Sequence, residues 1–120
     1  YQNALGVKRD YAEAMKWYQK SAAYGYTDAE NNIGYMYMYG LGVKRDYSKA
    51  MEWFKKADVK NSGAAENNIG YMYQEGLGVE QDYSRAMEWY EKAAANGDAT
   101  ALSNIGAMYL FAWGVELEIM

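Results

Sequence analysis

The chain has 120 residues, 51% of them apolar, a net charge of −4, and neither cysteine, histidine nor proline. That composition supports a buried core, excludes disulfide and thiolate chemistry, and removes the commonest zinc ligands and the commonest general base. An acidic balance also argues against nucleic acid, whose binding rests on clustered Lys and Arg, and no apolar run approaches the length of a membrane span. The charge is unevenly spread: residues 1–60 carry ten Lys/Arg and seven Asp/Glu, whereas residues 61–120 carry two and nine.

Self-comparison dominates everything else. Leu5 to Tyr11 (LGVKRDY) recurs letter for letter as Leu41 to Tyr47 and returns as LGVEQDY from Leu77 to Tyr83. Ala29 to Tyr37 (AENNIGYMY) recurs as Ala65 to Tyr73 and more loosely from Ala101 to Tyr109, again at a spacing of 36. A fixed period of this size signals a stacked array of supersecondary units.

Taken in chain order, Tyr1 falls in register with Tyr37, so the chain is expected to open in the last turn of a first helix, here named helix A. Asp10 then stands as N-cap of the partner helix, helix B, which Gly25 closes. Thr27 with Glu30 reads as a capping box for the next helix A, over about Ala29 to Tyr39, closed by Gly40-Leu41-Gly42. Asp46 caps the second helix B, whose Tyr47, Ala50, Met51, Phe54 and Ala57 form an i, i+3, i+4, i+7 stripe. The third unit repeats the pattern, with Gly76-Leu77-Gly78 as the connection, Asp82 as cap and Gly97 as closure. Asp98 is the expected cap of the last helix A. Beyond it, Ala112-Trp113 replaces Gly-Leu and Glu118 replaces the Asp, and both ends are expected to lie inside a longer array.

Gly34, Gly70 and Gly106 sit within helix A, where glycine costs about 1 kcal/mol against alanine. The expectation is close approach, with Trp53 or Phe54 lying across the missing Cβ in the second unit. The repeated Met15, Met51 and Met87 and Trp17, Trp53 and Trp89 are read as core and its border.

Candidate chemistry is sparse. Glu13, Glu52 and Glu88 read as solvated carboxylates near lysines. Without histidine, none of the serines can join a Ser–His triad. The glycine-rich turns lack the Gly-Lys-Ser/Thr ending of a phosphate loop. The chain is therefore read as no enzyme, with no catalytic residue, metal or cofactor.

Ala29, Ile33-Gly34, Tyr37, Gly40, Gly42-Val43, Asp46, Ala50, Trp53-Phe54 and Ala57, with their partners 36 residues either way, resemble the Sel-one-like repeat family of tetratricopeptide-like solenoids. The resemblance implies an all-α, right-handed α/α superhelical solenoid of about three helix–turn–helix repeats. The whole of 1–120 would be a single array, phased as 1–26 (partial), 27–62, 63–98 and 99–120 (partial). It also implies a protein-binding scaffold, with helix A lining the concave face.

On that face the inward positions are expected to be Asp28, Asn31, Tyr35, Met38 and Tyr39, then Ala64, Asn67, Tyr71, Gln74 and Glu75, then Thr100, Ser103, Ala107, Leu110 and Phe111. Tyrosine offers large contact area at low entropy cost, and asparagine both donor and acceptor, as a peptide requires. The binding residues so identified are Asn31, Tyr35, Met38, Tyr39, Asn67, Tyr71, Gln74, Glu75, Ser103 and Phe111. Asn32, Asn68 and Asn104 at the edge are better explained as holding neighbouring helices together. The expected partner is a protein or peptide, with neither nucleic acid nor membrane insertion. The alternative is a structural array that associates head to tail, the basic half of one copy meeting the acidic half of the next.

Overall fold

The computed structural model describes the backbone of residues 4–112 and the side chains of residues 10–110. The described residues are all helical apart from turns, in two compact units, Tyr1–Lys60 and Asn61–Met120. The first contains α1 (Ala4–Ala23), α2 (Thr27–Tyr39) and α3 (Tyr47–Asp58). The second contains α4 (Gly63–Glu75), α5 (Tyr83–Ala95) and α6 (Ala99–Ala107), followed by a π-helical turn over Met108–Ala112. No helix among the described residues is long and apolar enough to cross a membrane.

In the first unit α2 packs against both α1 and α3. Met15, Ile33 and Met36 are buried together, with Tyr18, Tyr37, Leu41 and Trp53 packed around them. In the second, α5 packs against α4 and α6, around Ala86, Met87, Tyr90, Ala93, Ala101 and Met108. The helix B stripe is the inner face: Ala50, Phe54 and Ala57 are fully buried, as are Ala86, Tyr90 and Ala93. Trp17 is the exception to the core reading, 59% exposed on α1.

The helical glycines behave as expected in the two complete pairs. A Cβ on Gly34 would meet the Phe54 ring at 2.6 Å, and one on Gly70 would meet the Tyr90 ring at 2.7 Å. Gly106 does not follow: no described residue lies within 4 Å of such a Cβ. No described helix B lies behind the third A helix.

Helix ends are set by local chemistry, with two corrections. Asp46 and Asp82 accept from the amides of Lys49 and Arg85, each at 3.0 Å, and Asp98 accepts from Ala101 at 3.0 Å. Asp10, expected to do the same, lies inside α1, because LGVKRDY is helical in its first copy and a loop in its second. The second copy is held open by a complete helix A. The amides of Gly40 and Leu41 both donate to the Met36 carbonyl, and Asp46 donates to that of Tyr37. Thr27 is no cap either, since α2 begins at it and the cap position belongs to Tyr26, which makes no side-chain cap bond. Ser62 occupies the matching place on α4 and does cap, accepting from Ala65 at 3.2 Å.

Gly40 and Gly76 close α2 and α4 in the left-handed region, at φ 67° and 71°. The equivalent position of the last unit is Ala112, which that conformation penalises. The helix runs on instead as a π-turn through Ala112.

Two substitutions check these assignments. Gly70→Val drives a branched side chain into the Tyr90 ring, and overpacking of this kind costs about 1–3 kcal/mol, so thermal unfolding should shift down by several degrees. Gly106→Ala should be neutral or stabilising. Equal melting of Gly70→Val and the parent would contradict the packing role. Separately, Tyr26→Asp places a cap on backbone already extended at φ −73°, ψ 120°, and should raise stability by about 1 kcal/mol in urea titration.

Candidate functional site

The burial pattern of α2 defines a face. At about 100° per residue, Asp28, Asn31, Asn32, Tyr35 and Tyr39 fall within one stripe, because a step of seven residues nearly completes two turns. Ala29, Glu30, Ile33, Gly34, Met36 and Met38 occupy the opposite arc and are buried. Tyr35 and Tyr39 are exposed, at 45% and 46%, with ring centroids 4.7 Å apart and planes tilted by 57°. Asp28 is exposed at the N-terminal end of the stripe, and Asn31 is half-buried.

Met38 must be corrected. It is 2% exposed and lies on the flank of α2 that turns toward α3, so it presents nothing to a partner. Gln74 holds the same register on α4 and is likewise turned inward. Its Oε1 accepts from the Tyr90 hydroxyl at 2.6 Å, its Nε2 donates to Glu75 at 3.0 Å, and its backbone carbonyl accepts from Gln81 at 2.8 Å. The two units solve one packing problem in two ways. Phe54 and Met38 hold the equivalent registers of the first unit and are both buried and apolar, while Tyr90 with Gln74 adds a hydroxyl and supplies its acceptor. Burial, then the charge of Glu75, then the neighbouring Tyr71 push the Tyr90 hydroxyl well above its ordinary value, which keeps it a donor.

The remaining predicted residues divide. Tyr71 is half-buried on the α4 stripe, and Glu75 is exposed there. Asn67 is half-buried, and its Oδ1 accepts from Asn104 at 2.7 Å, so α6 is tied to α4 through that amide. Ser103 is exposed on α6. The side chain of Phe111 lies outside the described residues, as does Trp113.

Sequence reasoning missed two features. Glu30 and Glu66, at one register of the two A helices, are buried carboxylates, 5% and 0% exposed. Lys60 reaches Glu30 at 2.9 Å and also donates to the Gly25 carbonyl at 3.0 Å; Asn96 donates to Glu66 at 2.8 Å. A polar residue from the turn after helix B thus pins the first turn of helix A in each unit. The signal was present in the recurrence of Glu30 as Glu66, and Lys60 stands 36 residues before Asn96. The second feature is a cleft of about 190 Å³ between α1 and α2, lined by Tyr11, Tyr18, Asn32, Tyr35, Met36 and Leu41. It adjoins the exposed stripe through Asn32 and Tyr35.

Charge is segregated by helix. The charged residues of α2 and α4 are Asp28, Glu30, Glu66 and Glu75, without a single Lys or Arg. The cations sit on helix B and the loops, several of them over aromatic rings. Lys20 lies 4.5 Å from the Trp17 ring centroid, Lys56 lies 4.1 Å from Trp53, and Lys92 lies 5.1 Å from Trp89. These are one arrangement in three copies, with Lys three residues after Trp, and they explain why that register tolerates a partly exposed indole.

Repeat period, paired helices and glycine-closed turns meet their match in a known repeat. Residues 1–26, 27–57 and 63–98 each match the Sel1 repeat. The chain belongs to the Sel1-repeat family. Among solved structures, it is similar to a Sel1 repeat protein from Oxalobacter formigenes, with 42% identity and a TM-score of 0.77, covering 89% of this chain and 44% of that one. It is also similar to a protective antigen present in uropathogenic Escherichia coli strains that displays an SLR fold, with 40% identity and a TM-score of 0.75, covering 83% of this chain and 21% of that one. The chain thus spans less than half the length of either protein. No curated protein matches it. Sel1 repeats generally serve as protein-interaction scaffolds and are typically non-catalytic.

The Tyr90–Gln74 bond is open to a direct check. Tyr90→Phe leaves the Gln74 acceptor without its donor and should cost about 1 kcal/mol, read from urea unfolding. The reciprocal change, Phe54→Tyr, should destabilise alone and recover when Met38→Gln is added.

Proposed function

We propose that this Sel1-repeat chain is a non-catalytic interaction module that holds a peptide or partner surface on the exposed stripe of its A helices. The observation carrying this reading is the Tyr35–Tyr39 pair. Two large aromatic rings stand nearly half exposed, opposite the arc in which Ala29, Glu30, Ile33, Gly34 and Met36 are buried. Folding gains nothing from presenting them, and exposed aromatic clusters are where interface energy concentrates. Asn31 shares this stripe on α2, and the second unit offers Asn67, Tyr71 and Glu75 on α4 and Ser103 on α6 as the matching residues. Met38 and Gln74 are left out of it.

A second reading, head-to-tail assembly of copies, draws on the charge asymmetry between residues 1–60 and 61–120. Such contacts would be heterologous and weakened by salt. Sedimentation across a concentration series at low and high salt separates this reading from peptide binding, since a strict monomer excludes it.

Tyr35→Ala combined with Tyr71→Ala tests the leading reading. Helicity by circular dichroism should be retained, because neither ring is in the buried arc. Partners recovered from the source organism's lysate by the parent protein should be lost by the double variant. Recovery of the same partners by both proteins would place the binding surface elsewhere.

A further inference from the structure

We propose that the cleft between α1 and α2 is an aromatic cage for a cationic side chain, a lysine or arginine of the bound partner; this rests on the reading of the A-helix face given above. Tyr11 and Tyr18, two turns apart on α1, and Tyr35 on α2 place three aromatic side chains around one space of about 190 Å³, roughly six water volumes and room for one long side chain. Met36 and Leu41 give an apolar lining for an alkyl stem, and Asn32 gives an amide oxygen at the wall. A cation with an aliphatic stem matches all three elements, because ring faces carry negative potential and attract cations.

Charge points the same way. No Lys or Arg lines the cleft, and none of the cation–aromatic pairs among the described residues uses Tyr11, Tyr18 or Tyr35. The unit already employs this chemistry internally, as in Lys49, 5.5 Å from the Tyr37 ring centroid. Along α2, Asp28 lies on the same stripe as Tyr35, two turns toward the N-terminus, and no cation of that helix opposes it. An acidic partner would meet phenol faces and a carboxylate. A basic partner would meet a cage and a counter-ion.

The probes are a blocked pentapeptide with arginine at the centre of four glycines and its citrulline counterpart, which keeps the shape and loses the charge. Binding is followed by tyrosine ring resonances in protein carrying labelled tyrosine, at low and high salt. The arginine peptide should shift Tyr11, Tyr18 and Tyr35 and bind about tenfold tighter than the citrulline peptide. Most of that preference should survive high salt, because a cation inside a cleft is poorly screened. Tyr35→Phe should keep the preference, since the ring remains, whereas Tyr18→Ala should lose it. Equal binding of the two peptides at these tyrosines overturns the cage but leaves the A-helix face standing as an uncharged binding surface. A preference abolished by salt, or one without shifts at these rings, also overturns it, as long-range attraction to an acidic protein.

Discussion

A phenyl or phenol ring packed against a helical glycine is the contact on which the two pairs α2/α3 and α4/α5 depend. Phe54 over Gly34 and Tyr90 over Gly70 fill the space a Cβ would need, and this lets helix B approach the backbone of helix A instead of its side chains. Close approach fixes the rotation of helix A about its axis. Once Ile33, Gly34 and Met36 face inward, Tyr35 and Tyr39 must face out. The exposed stripe is therefore the complement of the glycine contact.

The polar contacts refine this arrangement without determining it. Lys60 and Asn96 reach back to buried Glu30 and Glu66, so the turn leaving helix B is tied to the first turn of helix A in its own unit. A buried carboxylate is costly unless paired, and removing its partner is more damaging than never having the pair. The ties are a device of register: they hold one end of the A helix while the glycine contact holds its middle. Tyr26 breaks the otherwise polar run of cap residues, and its helix forgoes a cap that Ser62 and Asp98 provide to the others.

Membership of the Sel1-repeat family agrees with what the residues can do chemically. The face on offer has aromatic area, amides and isolated carboxylates, and the described residues bring no nucleophile and base together on it. Helices α2 and α4 carry acidic residues and no Lys or Arg, whereas α1, α3, α5 and the loops carry both signs, which gives the two helices of a pair different electrostatic character. Interaction surfaces exploit such differences more for choosing partners than for raw affinity.

The sequence by itself determined the period, the helix pairs, the glycine closures and the caps at Asp46, Asp82 and Asp98, because each of these is local chemistry repeated at a fixed interval. It also pointed to the ring that would cover Gly34. Tertiary structure decided what depends on neighbours. LGVKRDY is helix in one copy and loop in another, and in the second copy the carbonyls of Met36 and Tyr37 receive its amides. No described ring lies upon Gly106. Ala112 carries its helix into a π-turn. Met38 looks as eligible for a binding face as Tyr39 when only spacing is known, and burial against the partner helix removes it. Glu30 reads as half of a capping box until the fold brings Lys60 to it from 30 residues away. The cleft of Tyr11, Tyr18 and Tyr35 likewise joins two helices whose letters carry no sign of each other. Periodic sequence dictates what each helix is; only packing assigns which way each side chain looks.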